Sequence, residues 1–227
     1  MPRQVTPHIY CWSEIHGEAR HEAYPWNSFL IDVPNDDVVV LIDPLPVASD
    51  EAREIEQIRI PTHILLTCEF HLRESELLKQ RWGCEIWANE VELDRYEVSI
   101  DGTFVHGGRL WDFIDPIYVP DVYFPETVLL VREFGGGLII GDMLSGGRKD
   151  AGIADGDLGI YAPHFIADFE KARSSISQLL NYSYDFICFG HGSPIFDDPK
   201  AKLKRYVEND EIWENLARRK RDTPPPH

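Results

Sequence analysis

Hydrophobic and polar positions alternate in blocks that read as a series of short elements. Ser28 to Val33 predicts a strand. A turn at Pro34-Asn35-Asp36-Asp37 leads into a second strand, Val38 to Ile42, apolar throughout as in a strand covered on both faces. Asp43-Pro44 ends it. Ser49 to Gln57 suits a helix with Ser49 or Asp50 as its cap. A short strand from His63 to Leu66 runs into a polar turn, Thr67 to Arg73. A helix from Glu74 to Trp82 follows, stopped by Gly83, and then a strand, Cys84 to Ala88. Strand and helix alternate through this half, which predicts a layered α/β arrangement.

The second half begins with a strand, Phe113 to Val119. Thr127 to Phe134 and Leu138 to Ile140 form a hairpin about Gly135-Gly136-Gly137. Asp168 to Leu180 reads as a helix, and Tyr184 to Phe189 as an apolar strand closing on Gly190-His191-Gly192. Two final helices are expected at Lys200 to Val207 and Glu211 to Arg219. With no linker and no internal repeat, one domain over residues 1–222 is expected, followed by a disordered tail, Thr223 to His227.

Composition narrows the function classes. Hydrophobic residues make up 43% of the 227, enough for a substantial core. The 39 acidic residues against 22 basic ones give a formal charge of −17, which disfavours nucleic acid as a partner. The one dense basic run, Arg218-Arg219-Lys220-Arg221, reads as a solvated helix end favoured by the helix dipole. Neither a signal peptide between Met1 and Gly17 nor an apolar run long enough to span a bilayer is evident, so no membrane association is expected. Cys11, Cys68, Cys84 and Cys188 lack CxxC spacing, and three lie in or beside apolar segments. Free buried thiols in the cytoplasm are the expectation.

Three places, taken in order, carry a family resemblance. They are Asn27 ahead of the buried strand Val38-Val39-Val40-Leu41-Ile42-Asp43-Pro44; Leu138-Ile139-Ile140-Gly141-Asp142; and Phe186-Ile187-Cys188-Phe189-Gly190-His191-Gly192. The sequence resembles the metallo-β-lactamase superfamily in these segments and in their spacing around Thr67. The resemblance implies an α/β fold, a four-layer αββα sandwich. It also implies a site in which a Thr-His-x-His-x-Asp-His turn, a later Gly-Asp and a C-terminal histidine hold one or two metal ions, usually zinc. Such an ion turns bound water into a nucleophile for ester, thioester, amide or phosphodiester bonds.

The turn departs from that pattern. It reads Thr67-Cys68-Glu69-Phe70-His71-Leu72-Arg73, so Cys68, Phe70, Leu72 and Arg73 fall on the ligand positions when the threonines are aligned. The middle histidine is also replaced, with Val122 in its place. Only Asp142 and His191 remain. In this register Arg73 would pair with Asp142 and stand in for the metal. A register shifted by one lays Glu69, His71, Arg73 and Glu74 on the ligand positions, an oxygen-rich set suited to manganese, magnesium or iron.

Cys68 is also a candidate nucleophile with His71 or His191 as base, although a buried small hydrophobe is the more ordinary reading. Cys68, Arg73 and His164, the last in a loop where such sites are placed, are the substrate-binding candidates. Asp142, His191 and His71 are the catalytic candidates, and with Glu69 the metal-binding ones. Two function classes stay open. The favoured one has lost the dinuclear zinc site, needs no cofactor, and binds a small molecule or protein partner. The alternative is a hydrolase with an unusual ligand set and a divalent zinc, manganese or iron ion. A homodimer is compatible with either.

Overall fold

A computed structural model describes residues 2–16, 24–34 and 36–222. The tail Thr223 to His227, and Asn35 of the expected turn, lie outside the described residues.

Two sheets form. The first has seven strands in chain order: β1 (Arg3–Thr6), β2 (Ile9–His16), β3 (Tyr24–Asp32), β4 (Val39–Ile42), β5 (His63–Leu65), β6 (Glu85–Asn89) and β7 (Gly102–Phe104). Strands β1 to β4 pair antiparallel, and β4 to β7 parallel. The switch follows from the connections. Parallel neighbours need a crossover, and α1 (Ser49–Ile58) and α2 (Ser75–Trp82) supply the first two. The second sheet takes β8 (Ile114–Val119), β9 (Glu126–Val131), β10 (Gly137–Ile140) and β11 (Phe186–Phe189) in the order β11-β10-β9-β8. Strands β9 and β10 form the expected hairpin, with Gly135 and Gly136 at φ 92° and 86°, where a side chain would be strained. The crossover from β10 to its parallel neighbour β11 contains α3 (Phe169–Ser177), and α4 (Pro199–Glu208) and α5 (Asp210–Asp222) close the chain.

Three apolar layers separate four structural ones. Val39, Leu41, Ile64 and Ile86 of the first sheet pack with Ile55 of α1 and Leu78 of α2. Val40, Ile42 and Leu65 point the other way and meet Leu129, Val131, Ile139 and Phe186 of the second sheet. Val128, Leu130, Leu138 and Ile140 then face Ile176, Leu203 and Trp213 of the outer helices. The chain is thus an αββα sandwich, and β4 is apolar throughout because both its faces are covered. The sequence reading passed over β1 and β2 for a related reason. Ile9 and Cys11 enter the inter-sheet core while Tyr10 and Trp12 face the helix layer, so β2 shows no polar alternation. The helix expected to run to Leu180 instead ends at Ser177 and tightens into a 3-10 turn, Gln178–Asn181. Among the described residues no helix is long and apolar enough to cross a membrane.

Asn27 ties the sheets together at the edge where the strands end. Its amide donates to the carbonyls of Phe189 (2.8 Å) and Gly192 (2.9 Å), and its side-chain oxygen accepts from the Ser13 hydroxyl at 2.6 Å. Its backbone N–H donates to Gly190 O at 2.8 Å. Replacing Asn27 by Ala strands two carbonyls and a hydroxyl and should cost about 2–3 kcal/mol in urea unfolding. A loss below about 0.5 kcal/mol would show that the sheets are held together elsewhere.

Candidate functional site

Four strands deliver one residue each to a common point. Asp43 follows β4, Thr67 lies two residues beyond β5, and Asp142 and His191 lie two residues beyond β10 and β11. Asp43 holds a left-handed backbone, φ 50°, which aims its carboxylate back at the next strand end. There it accepts from the Thr67 N–H (2.8 Å) and hydroxyl (2.6 Å) and from His71 Nδ1 at 2.8 Å. The Nε2 of His71 faces Asp142 Oδ1 at 3.3 Å, so each ring nitrogen has a carboxylate to donate to. His191 Nε2 meets the same oxygen at 2.6 Å, and its Nδ1 lies 3.2 Å from Pro25 O.

The Thr67 to Arg73 turn follows neither sequence register. Glu69–His71 is a 3-10 turn, and His71 N–H donates to Cys68 O. Three residues per turn put Cys68 and His71 on one face and send the residues between them elsewhere. One donor atom each from Cys68, His71 and Asp142 lies within 4.8 Å of the others, and all three residues are buried. Glu69 turns away to an ion pair with Arg95 at 2.8 Å, and Phe70 is 60% exposed, stacked edge-on against Phe124.

Glu126, at the start of β9, holds the Asp142 segment in place. Its buried carboxylate accepts the N–H groups of Gly141 (2.8 Å), Asp142 (2.7 Å) and Met143 (2.9 Å). Gly141 has to be glycine, because a Cβ there would lie 2.5 Å from Thr67 Oγ1. Burial, together with the Asp142 charge, pushes the Glu126 carboxyl up to about 8 despite these donors.

Electrostatics at the centre are dominated by opposing pulls. Burial disfavours charge on His71, yet the Asp43 and Asp142 carboxylates at its two nitrogens outweigh it and carry that imidazole well above its ordinary range. Burial likewise works against Asp142, but His71 and His191 hold it well below the usual carboxylate range. The His191 pKa is lowered by burial, only partly offset by Asp142. Burial pushes the Cys68 thiol up to about 12, so without a cation beside it the sulfur is a thiol at neutral pH.

Several expectations are corrected. Arg73 forms no ion pair with Asp142. With φ at 39° it donates instead to Asp43 O (3.0 Å) and Asn27 O (3.4 Å), its guanidinium 4.7 Å over the Trp26 ring. Asp142 is already met by two imidazoles and has no need of it. Glu69 is outside the cluster, and Glu74 sits at the start of α2. Leu72 packs against the first helix-facing core, and Val122 belongs to the last. His164 lies against Phe165, ring centres 4.1 Å apart, while Tyr161 of the same loop faces His191 at 5.6 Å. All four cysteines are free and buried. Asp43, Glu126 and Tyr161 went unassigned in the sequence reading. An acidic residue opening the apolar run Glu126-Thr127-Val128-Leu129-Leu130-Val131 was the available signal.

Comparison with known proteins agrees with this architecture. The sequence matches the profile of the metallo-beta-lactamase superfamily over residues 1–209. No curated protein sequence matches it. Among solved structures it is similar to a metallo-beta-lactamase from Hirschia baltica, with 14% identity, 96% of each chain covered and a TM-score of 0.63. It is also similar to the metallo-beta-lactamase FIM-1 from Pseudomonas aeruginosa in its mono-zinc form, with 13% identity, 96% of this chain and 95% of that one covered, and a TM-score of 0.61. A flavo di-iron protein variant from Thermotoga maritima matches at 18% identity and a TM-score of 0.65, over 91% of this chain and 62% of its own. With a family match across most of its length and the same two-sheet layout, the chain belongs to the metallo-β-lactamase superfamily.

Proposed function

We propose that the protein is a metal-dependent hydrolase working with a single divalent ion, held by Cys68, His71 and Asp142 with His191 behind Asp142. The observation that carries this reading is the convergence of a sulfur, an imidazole nitrogen and a carboxylate oxygen within 4.8 Å, on a turn that has lost the family's histidines. The donor set fits zinc, which accepts sulfur, nitrogen and oxygen together; manganese and magnesium prefer oxygen. Three protein donors also leave a coordination position open, as in catalytic rather than structural zinc sites. The chemistry such an ion supplies is Lewis-acid activation of water and of a carbonyl.

The surrounding residues have definable tasks in this reading. Asp43 fixes the His71 tautomer so that Nε2 faces inward, the outer-shell role a carboxylate plays behind a ligating histidine. His191 orients the Asp142 carboxylate, and Glu126 anchors the backbone that carries it. Tyr161 and Trp26, with ring centres 5.6 Å and 6.3 Å from His191, flank the centre. Arg148 and Arg73 each lie 4.7 Å over one face of these rings, which leaves the opposite faces for the acyl group of an ester or thioester.

A second reading draws on one observation. Asp142 receives both imidazoles, so its charge is compensated without an ion, as in a superfamily member that only binds a small molecule or partner. The hydrolase ranks first because buried groups of three different acidities gathered at one point serve packing poorly, and perturbed titratable clusters mark functional sites.

Elemental mass spectrometry of the untagged protein, loaded with zinc, should give about one ion per chain, and Cys68→Ser or Asp142→Asn should bring it below about a tenth. Chelation should abolish hydrolysis of an acyl thioester by the wild type. Less than about a tenth of an ion in the wild type after loading with zinc, manganese or iron would refute the reading. Asp43→Asn should leave the chain folded while weakening zinc about 10–100-fold in competition with a chromophoric chelator. Unchanged affinity would remove Asp43 from its assigned role.

A further inference from the structure

Away from this centre, the loop after β10 and the two C-terminal helices enclose a cavity of about 550 Å³, within the size range of small-molecule sites. None of its lining residues belongs to the Asp142 cluster. Its floor is apolar, built from buried Ile153, Leu158, Ile160 and Leu216. Arg205 of α4 and Arg219 of α5 stand on its rim.

Those arginines are conspicuous in a chain of net charge −17. Neither forms an ion pair among the described residues, and both are exposed. Their basic neighbours are committed elsewhere. Arg218 donates to Asn215, Lys220 to the carbonyl of Ile166, and Lys202, also in the lining, to Asp197 at 3.3 Å. Arg219 is therefore the member of the basic run that reaches the cavity. A solvated helix end explains charge at the end of α5, but not a hollow with an apolar floor beside it. Asp157, the one carboxylate in the lining, would repel a second anionic group placed away from the head of a ligand.

We propose that this cavity binds an organic anion with a single carboxylate or phosphate-monoester head and an apolar body. The head engages the guanidinium forks of Arg205 and Arg219, which match either group in two-point hydrogen bonding. The body lies on Ile153, Leu158 and Leu216. The site is independent of any metal, so its test does not depend on the hydrolase reading.

Calorimetric titration of the full chain with octanoate, octyl phosphate, 1-octanol and inorganic phosphate tests the assignment. At least one of the two amphipathic anions should bind at least about tenfold more tightly than octanol and than phosphate, a difference of about 1.4 kcal/mol. The tighter of the two names the head group. Arg205→Gln with Arg219→Gln should weaken that ligand at least about tenfold while leaving thermal unfolding unchanged. Octanol binding as well as the anions, inorganic phosphate binding as well as they do, no binding of either anion, or anion binding indifferent to the double variant would each overturn the proposal.

Discussion

A carboxylate taken out of water has to be compensated where it sits, and Asp142 sets that requirement for the molecule. Its side chain is buried at the junction of two sheets, and two imidazole nitrogens reach the same oxygen at 2.6 Å and 3.3 Å. One of those imidazoles is fixed by a second buried carboxylate, Asp43, which is itself held by Thr67. Charges buried in this way are tolerated only as a connected set, because removing one partner leaves another unpaired. The adjacent Cys68 belongs to the set, since its thiol proton and that of His71 are what a divalent ion would displace.

The sandwich exists, in effect, to bring these ends together. Strands β4 and β5 in one sheet and β10 and β11 in the other end at the same edge, and Asn27 bonds across to the last loop. Gly141 permits a close approach to Thr67, and Glu126 gathers three backbone N–H groups beneath Asp142. Packing thus supplies rigidity and polar contacts supply registration. The outer helices and the loop after β10 line a separate cavity with its own charge pattern.

Much of the architecture was legible because the apolar strands β4, β10 and β11 are unbroken runs with clear stops, and the Gly-Asp and Gly-His-Gly endings mark where they deliver polar groups. Asp142 and His191 became candidates through the family resemblance that these endings carry. The turn after β5 was not legible in this way. Reading it in steps of two, as an extended segment, yields either Cys68 with Phe70 or Glu69 with His71. The chain instead winds a single 3-10 turn, so the pair that converges is Cys68 and His71, one from each register. A three-residue winding leaves no periodicity for a sequence to display. Arg73 went astray for a similar reason, since its left-handed backbone sends the side chain to carbonyls and Trp26. Asp43 looked like a strand terminator because its role depends on residues twenty-four and twenty-eight positions later.

The most direct test of a shared cation site is anomalous diffraction at the zinc edge from crystals grown with zinc. The account predicts a single peak about 2.0–2.3 Å from Cys68 Sγ, His71 Nε2 and an Asp142 oxygen. A site with no peak, and with Asp142 still bonded to both imidazoles, would contradict it.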